Sequence, residues 1–252
     1  MDVLRRDFLP DDAAPLLAAA RIDAVVAVQT DQSYAETAFL LSLAARHDFI
    51  RGVVGWVDLR ATDLAERLAS YRHAPQLKGF RHIAQGEPDD FLSRREIIAA
   101  ITLLGTLGYS YDILIYPRQL AAAEQLVASC PGVRFVLDHC AKPDIVSGDL
   151  KEWRAELTRL ARHAHVTCKL SGLVTEALWQ EWTDADLVPY LEVAAEAFGP
   201  ARLMFGSDWP VCLLAAGYER VIDVVERWAE RLTAAERERV FGETAREVYR
   251  LT

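Results

Sequence analysis

Arg202-Leu203-Met204-Phe205-Gly206-Ser207-Asp208-Trp209-Pro210 runs from an apolar strand into a carboxylate. The apolar run Leu203 to Phe205 stops at Gly206, and Ser207, Asp208 and Trp209 are presented before Pro210 ends any strand. Late in a chain that alternates strand and helix, this places Asp208 at the C-terminal mouth of a buried parallel strand. In an α/β barrel that mouth is where catalysis is assembled. An aspartate that merely caps the following helix is the plainer alternative. The other strand ends weigh against it.

Outward from this segment, β-rich runs recur at 24–28, 50–59, 77–83, 109–116, 134–139, 166–170 and 203–205. Between them, 35–47, 63–71, 94–107, 118–129 and 150–163 carry apolar residues at three- and four-residue intervals, the period of an amphipathic helix. Ser93 with Glu96, and Thr233 with Glu236, read as capping boxes. Strand–helix alternation implies parallel strands joined by crossovers. About seven strands are legible, and the chain opens on a helix near 11–20, so an eight-stranded barrel would lack its first strand. A doubly wound open sheet would need no eighth strand, but it concentrates its site at one switch point. Here unusual polar residues end strand after strand: Asp58, Arg81 with His82, Tyr116 with Arg118, His139, Lys169 and Asp208. The fold expected is therefore α/β, a (β/α)8 TIM-barrel-like domain spanning 1–252 and lacking the first strand at the N-terminus. No Pro-, Gly- or Ser-rich linker divides it.

The chain has 252 residues, 52% of them hydrophobic, and a net charge of −9. That charge disfavours a phosphate backbone as partner and suits an enzyme of small molecules. No apolar run reaches the roughly 18 residues of a membrane span, and Met1 to Asp7 carries charge without an apolar core, unlike a secretory signal. The four cysteines, Cys130, Cys140, Cys168 and Cys212, form no C-x-x-C pair. They read as buried thiols of a reducing compartment, and the cytoplasm is expected. The reading allows a homo-oligomer.

His139 ends its strand in Arg134-Phe-Val-Leu-Asp-His-Cys-Ala-Lys-Pro143 as Asp208 ends its own. A histidine there can orient water, bind a metal or donate to an oxyanion; alone it would read as a core histidine. Asp138 is expected on the opposite face by strand alternation, in a structural role. Arg81 and His82 should point to different sides of their strand, with Arg81 either at the mouth or in a surface ion pair. Lys169, inside Val166-Thr-Cys-Lys-Leu-Ser-Gly172, needs a mouth or a partner for its ammonium. Trp209, beside Asp208, joins the substrate-binding candidates. His47, His73, His163 and His165 lie near helix ends and carry no assignment. No Walker loop, G-x-G-x-x-G, nucleophile elbow or H-E-x-x-H is present.

Together, 52–59 (GVVGWVDL), 77–82 (LKGFRH), 135–143 (FVLDHCAKP), 168–173 (CKLSGL) and 203–212 (LMFGSDWPVC) resemble the amidohydrolase-related TIM-barrel family that contains sugar-acid lactonases of the L-fuconolactonase and L-rhamnonolactonase kind. The likeness runs from about Leu4 to Leu251. It implies hydrolysis of a sugar or dicarboxylic-acid lactone at the barrel mouth, with Asp208 acting on the attacking water, His139 matching the family's sixth-strand histidine, and Arg81, His82, Tyr116 and Lys169 falling where relatives place substrate-contacting groups. The family opens with a strand bearing His-x-His, and this chain has no such pair. A truncated start is one explanation, and an adapted, metal-free or inactive barrel the other. A divalent ion such as Zn is therefore an open cofactor, with His139 and Asp208 as candidate ligands. A metal-dependent decarboxylase of the same superfamily and a sugar-acid-binding barrel without turnover are the competing readings.

Overall fold

All seven β-runs become strands in the computed structural model, which describes residues 2–252. They are β1 (Val25–Val28), β2 (Ile50–Gly55), β3 (Leu77–Ile83), β4 (Ser110–Leu114), β5 (Arg134–Leu137), β6 (Val166–Leu170) and β7 (Leu203–Phe205). They form one sheet in chain order, and every neighbouring pair is parallel. The helices are α1 (Pro10–Ala19), α2 (Tyr34–Ala44), α3 (Leu64–Ser70), α4 (Arg95–Thr106), α5 (Leu120–Ser129), α6 (Lys151–Ala161), α7 (Asp184–Phe198) and α8 (Tyr218–Ala229), followed by the short α9 (Ala234–Glu238) and α10 (Thr244–Val248). One helix follows each strand, and α1 precedes the sheet. This is the TIM-barrel-like architecture with seven of its eight strands; among the described residues β1 and β7 are the two edges.

Side chains alternate across each strand, so the sheet has an outer face toward the helices and an inner face toward the barrel axis. The outer layer holds most of the core, including Ile101, Leu104, Ile113, Phe135, Leu157 and Leu191, all with no exposure. The inner apolar layer is small. It joins Val54, Val136 and Met204 to Val248 and Tyr249 from the C-terminal segment, with Val26, Val28 and Leu251 packed against them. Arg134 ties that segment to the barrel floor by donating to the carbonyls of Val248 (2.8 Å) and Gly108 (2.6 Å).

Local chemistry sets the boundaries. Thr233 accepts from the Glu236 amide (3.3 Å) and Glu236 accepts from the Thr233 amide (2.8 Å), the expected capping box. Ser93 and Glu96 form none: a 3-10 turn over Phe91–Ser93 precedes α4, the Ser93 hydroxyl donates to the Asp90 carbonyl (2.9 Å), and Arg94 takes the cap position. β2 ends at Gly55, short of residue 59, because the Trp56 amide donates to the Thr37 hydroxyl (2.9 Å) and the chain leaves the sheet. The four cysteines are buried free thiols, with Cys140 and Cys168 sulfurs 3.8 Å apart. Among the described residues no helix is long and apolar enough to cross a membrane.

Candidate active site

The C-terminal ends of β3, β5, β6 and β7 carry a connected set of polar side chains. His139 follows β5, and its ring is aimed by backbone conformation. His139, Cys140, Ala141 and Lys142 are all left-handed, with φ of 53°, 51°, 60° and 50°. This conformation costs an L-residue about 1–2 kcal/mol, so the surroundings must hold it. The Trp153 indole donates to the Cys140 carbonyl (2.8 Å), the Lys142 amide to the His139 carbonyl (2.7 Å), and the Lys142 ammonium pairs with Glu176 (2.5 Å). Gly172, at φ +63°, leaves room for the imidazole: a Cβ there would lie 2.7 Å from the ring.

His139 Nδ1 bonds Ser171 Oγ (2.8 Å), and Nε2 lies 3.5 Å from Asp208 Oδ1. Burial holds the imidazole below its ordinary pKa, with Asp208 and Asp138 acting against that shift. It is therefore neutral near pH 7. Asp208 is itself left-handed (φ 54°), and its Oδ2 is buried without a hydrogen-bond partner. An orphaned carboxylate oxygen beside a neutral imidazole at a strand mouth is an acceptor awaiting a proton donor, such as water.

Beneath this pair lies a buried ionic chain. Arg81 donates through Nη1 to Asp138 Oδ2 (2.9 Å) and through Nη2 to the Gln29 carbonyl. Gln29 Nε2 donates back to the Arg81 carbonyl (2.9 Å). Lys169 sits between two fully buried carboxylates, 2.7 Å from Asp138 Oδ1 and 2.7 Å from Asp112 Oδ2. The Tyr249 hydroxyl also donates to Asp112 Oδ2 (2.6 Å). Burial opposes the Lys169 charge, but Asp112 and Asp138 outweigh it and hold the ammonium well above the usual lysine range. Burial also works against ionised Asp138, and Lys169, Arg81 and His139 overcome it, keeping this carboxyl below the usual range. Asp112 faces one cation where Asp138 faces two, and there burial wins and raises the carboxyl.

Arg81 and Lys169 thus meet at Asp138, and the next residue, His139, meets Asp208. His82 points away from Arg81, as alternation requires, and stacks on Phe91 with ring centroids 4.9 Å apart. It accepts from the Trp56 indole (3.3 Å) and bonds Glu87 (3.0 Å). Tyr116 is exposed, with the Arg118 guanidinium 5.2 Å from its ring. Trp209 meets Phe8 edge-on at 5.3 Å, under the N-terminal segment. No hydrogen bond links His82, Tyr116 or Trp209 to the His139–Asp208 pair. Asp58 makes a local turn by accepting from the Arg60 amide (3.0 Å), and Arg118 pairs with Asp89 (2.8 Å).

Asp138 holds Arg81 and Lys169 in buried ion pairs. The left-handed turn that begins at His139 breaks the strand alternation after it. Asp112, Ser171, Gln29 and Tyr249 were not anticipated. A carboxylate inside the apolar strand 110–114 is the same signal that marks Lys169, and Ser171 shares Lys169's face by period two. Nothing local marks Tyr249.

The donor set does not fit a metal. Among the described residues no three His, Cys, Asp or Glu side chains gather to hold an ion. His139 and Asp208 offer two ligands, one short of the three protein ligands that a catalytic zinc keeps.

The amidohydrolase family profile matches residues 2–251. An L-fucono-1,5-lactonase of Burkholderia multivorans is 47% identical over 263 residues, covering 100% of this chain and 88% of that protein. An L-fucono-1,5-lactonase of Burkholderia ambifaria is 37% identical, with the same coverage of 100% and 88%. A zinc-bound crystal structure of an amidohydrolase from Burkholderia multivorans superposes with a TM-score of 0.97 at 47% identity, covering 100% of this chain and 92% of that one.

Proposed function

The chain belongs to the amidohydrolase family, and from that premise we propose that it hydrolyses a sugar-acid lactone, with L-fucono-1,5-lactone as the first substrate to test. The observation that carries the reading is the unpartnered Asp208 Oδ2 beside His139. The L-fucono-1,5-lactonase relatives supply the substrate class.

In this reading Asp208 takes a proton from water as the water attacks the lactone carbonyl. A carboxylate with ordinary pKa near 3.9 is about twelve units too weak to deprotonate bulk water outright. Proton transfer concerted with attack still contributes about 10²–10⁴-fold, which suits an ester as reactive as a lactone. His139, kept neutral by burial and oriented by Ser171, donates to the developing oxyanion. Arg81 Nε and Gln29 Oε1 are a buried donor and acceptor without partners. Lys169, spent on Asp112 and Asp138, holds Asp138 and through it Arg81, and forms no Schiff base.

A pH-indicator assay on L-fucono-1,5-lactone and a panel of related sugar lactones tests the proposal. Ring opening above the spontaneous rate is expected, fastest with the fucono-lactone. Binding without turnover across the panel would replace the proposal with a sugar-acid-binding barrel.

A further inference from the structure

The opposite end of the sheet, where the strands begin, holds a cavity of about 390 Å³. Its walls come from the segment after α3, the starts of β3 and β5, the turn before β4 and the C-terminal segment. Four cations line it, Arg72, Lys78, Arg134 and Arg250, and no aspartate or glutamate does. Among the described residues none of the four has a carboxylate within 4.0 Å, in a chain where 37 acidic residues outnumber 28 basic ones. Elsewhere fourteen arginines are paired with carboxylates; here like charges converge.

The convergence is close. Arg134 donates to the Gly108 carbonyl (2.6 Å), and an ideal Cβ on Gly108 would lie 3.2 Å from Arg250 Nη1. Lys78 donates to the Arg250 carbonyl (3.3 Å). Burial, and then Arg250, depresses the Arg134 pKa, and burial depresses that of Lys78, so both charges are held at a cost. Arg134 keeps Nη1 uncommitted, and Lys78 keeps two further N–H donors. Tyr71 and Tyr109 add half-buried rings, both packed on Phe80. An anion would relieve this repulsion and use the free donors, and an aromatic or apolar body would fill the tyrosine-lined part.

We propose that this cavity is a binding site for a small organic phosphate, separate from the Asp208 mouth and independent of the lactonase reading. A phosphate monoester brings about −1.5 to −2 charges and three acceptor oxygens to several cations at once, whereas a carboxylate brings one charge. The volume lies in the range of small-molecule sites.

The test is calorimetric titration of the full chain with phenyl phosphate, inorganic phosphate and benzoate. A variant carrying Arg72→Gln and Lys78→Gln is titrated in parallel; neither side chain is in an ion pair whose loss would unfold the chain. Saturable one-to-one binding of phenyl phosphate, tighter than that of inorganic phosphate or benzoate, is expected, with at least a ~10-fold loss in the variant (~1.4 kcal/mol). Raised salt should weaken it further. Arg250→Gln alone, at the exposed rim, should show the same direction of loss. Absence of saturable binding, affinity unchanged in variants that melt like the parent, or benzoate binding as tightly as phenyl phosphate would overturn the proposal.

Discussion

At Asp208 one carboxylate oxygen faces His139 at 3.5 Å and the other has no partner. If that free oxygen receives the proton of water, Asp208→Asn should lower kcat for L-fucono-1,5-lactone by about 10²–10⁴-fold with KM little changed, because a transition-state interaction is what is lost. Steady-state kinetics on a variant with parental melting behaviour decides it, and near-parental turnover would remove Asp208 from the role of base. Lys169 makes a different prediction. Lys169→Met leaves Asp112 and Asp138 facing each other in the interior, and breaking a buried ionic set costs about 3–5 kcal/mol, so urea unfolding should show a loss of that size. Burial depresses the pKa of both His82 and His139. The unfolded chain therefore takes up protons near pH 6.5 that the folded chain refuses. Their contribution to stability is complete above that pH and falls below it, by up to about 1.4 kcal/mol per pH unit for each histidine. Asp112, raised by burial, works in the opposite sense, so the comparison with a variant isolates the histidine. Unfolding free energies between pH 7.5 and 5 should fall less steeply in His82→Gln than in the parent. Parallel curves would refute the assignment.

Among the elements, the end of β5 and the loop after β6 act as one device. Four left-handed residues swing the His139 ring inward, and Gly172 receives it. Gly172→Ala places a methyl 2.7 Å from the ring at a φ that alanine disfavours by about 1–2 kcal/mol. The expected result is that loss of stability together with a fall in kcat on the order of 10²-fold, the scale of a misplacement near 1 Å. Thermal melting and lactone kinetics measure the two parts. A variant that is destabilised but fully active would show that His139 need not sit where Gly172 lets it.

Across the whole molecule, the ionic chain from Arg81 to Tyr249 links a strand mouth to the C-terminal segment. Tyr249 and Asp112 are 137 residues apart in sequence and 2.6 Å apart in space. Tyr249→Phe removes a donor from a fully buried carboxylate and should cost about 1–3 kcal/mol, read as a lower urea midpoint at unchanged m-value. A midpoint equal to the parent's would mean that the hydroxyl contributes nothing to the folded state.

The sequence by itself determined the seven strands, their parallel order, the helices between them and the strand ends that bear Arg81, His139, Lys169 and Asp208. Period-two and three-to-four-residue patterns are local, and parallel pairing of successive strands follows from crossovers. Only the tertiary structure decided which polar groups are spent and which remain free. Lys169 looked like a mouth residue but is consumed by Asp112 and Asp138, and Asp138 is shared between Lys169 and Arg81; His82 turns away from Arg81 as alternation foretold, but its partners Trp56 and Glu87 come only from packing. The left-handed turn at 139–142 is invisible in a run without glycine, because the contacts that hold it, from Trp153 and Glu176, come from outside the turn. Charge pairing in a low-dielectric interior depends on distances of a few ångströms, and those are set when distant segments pack together.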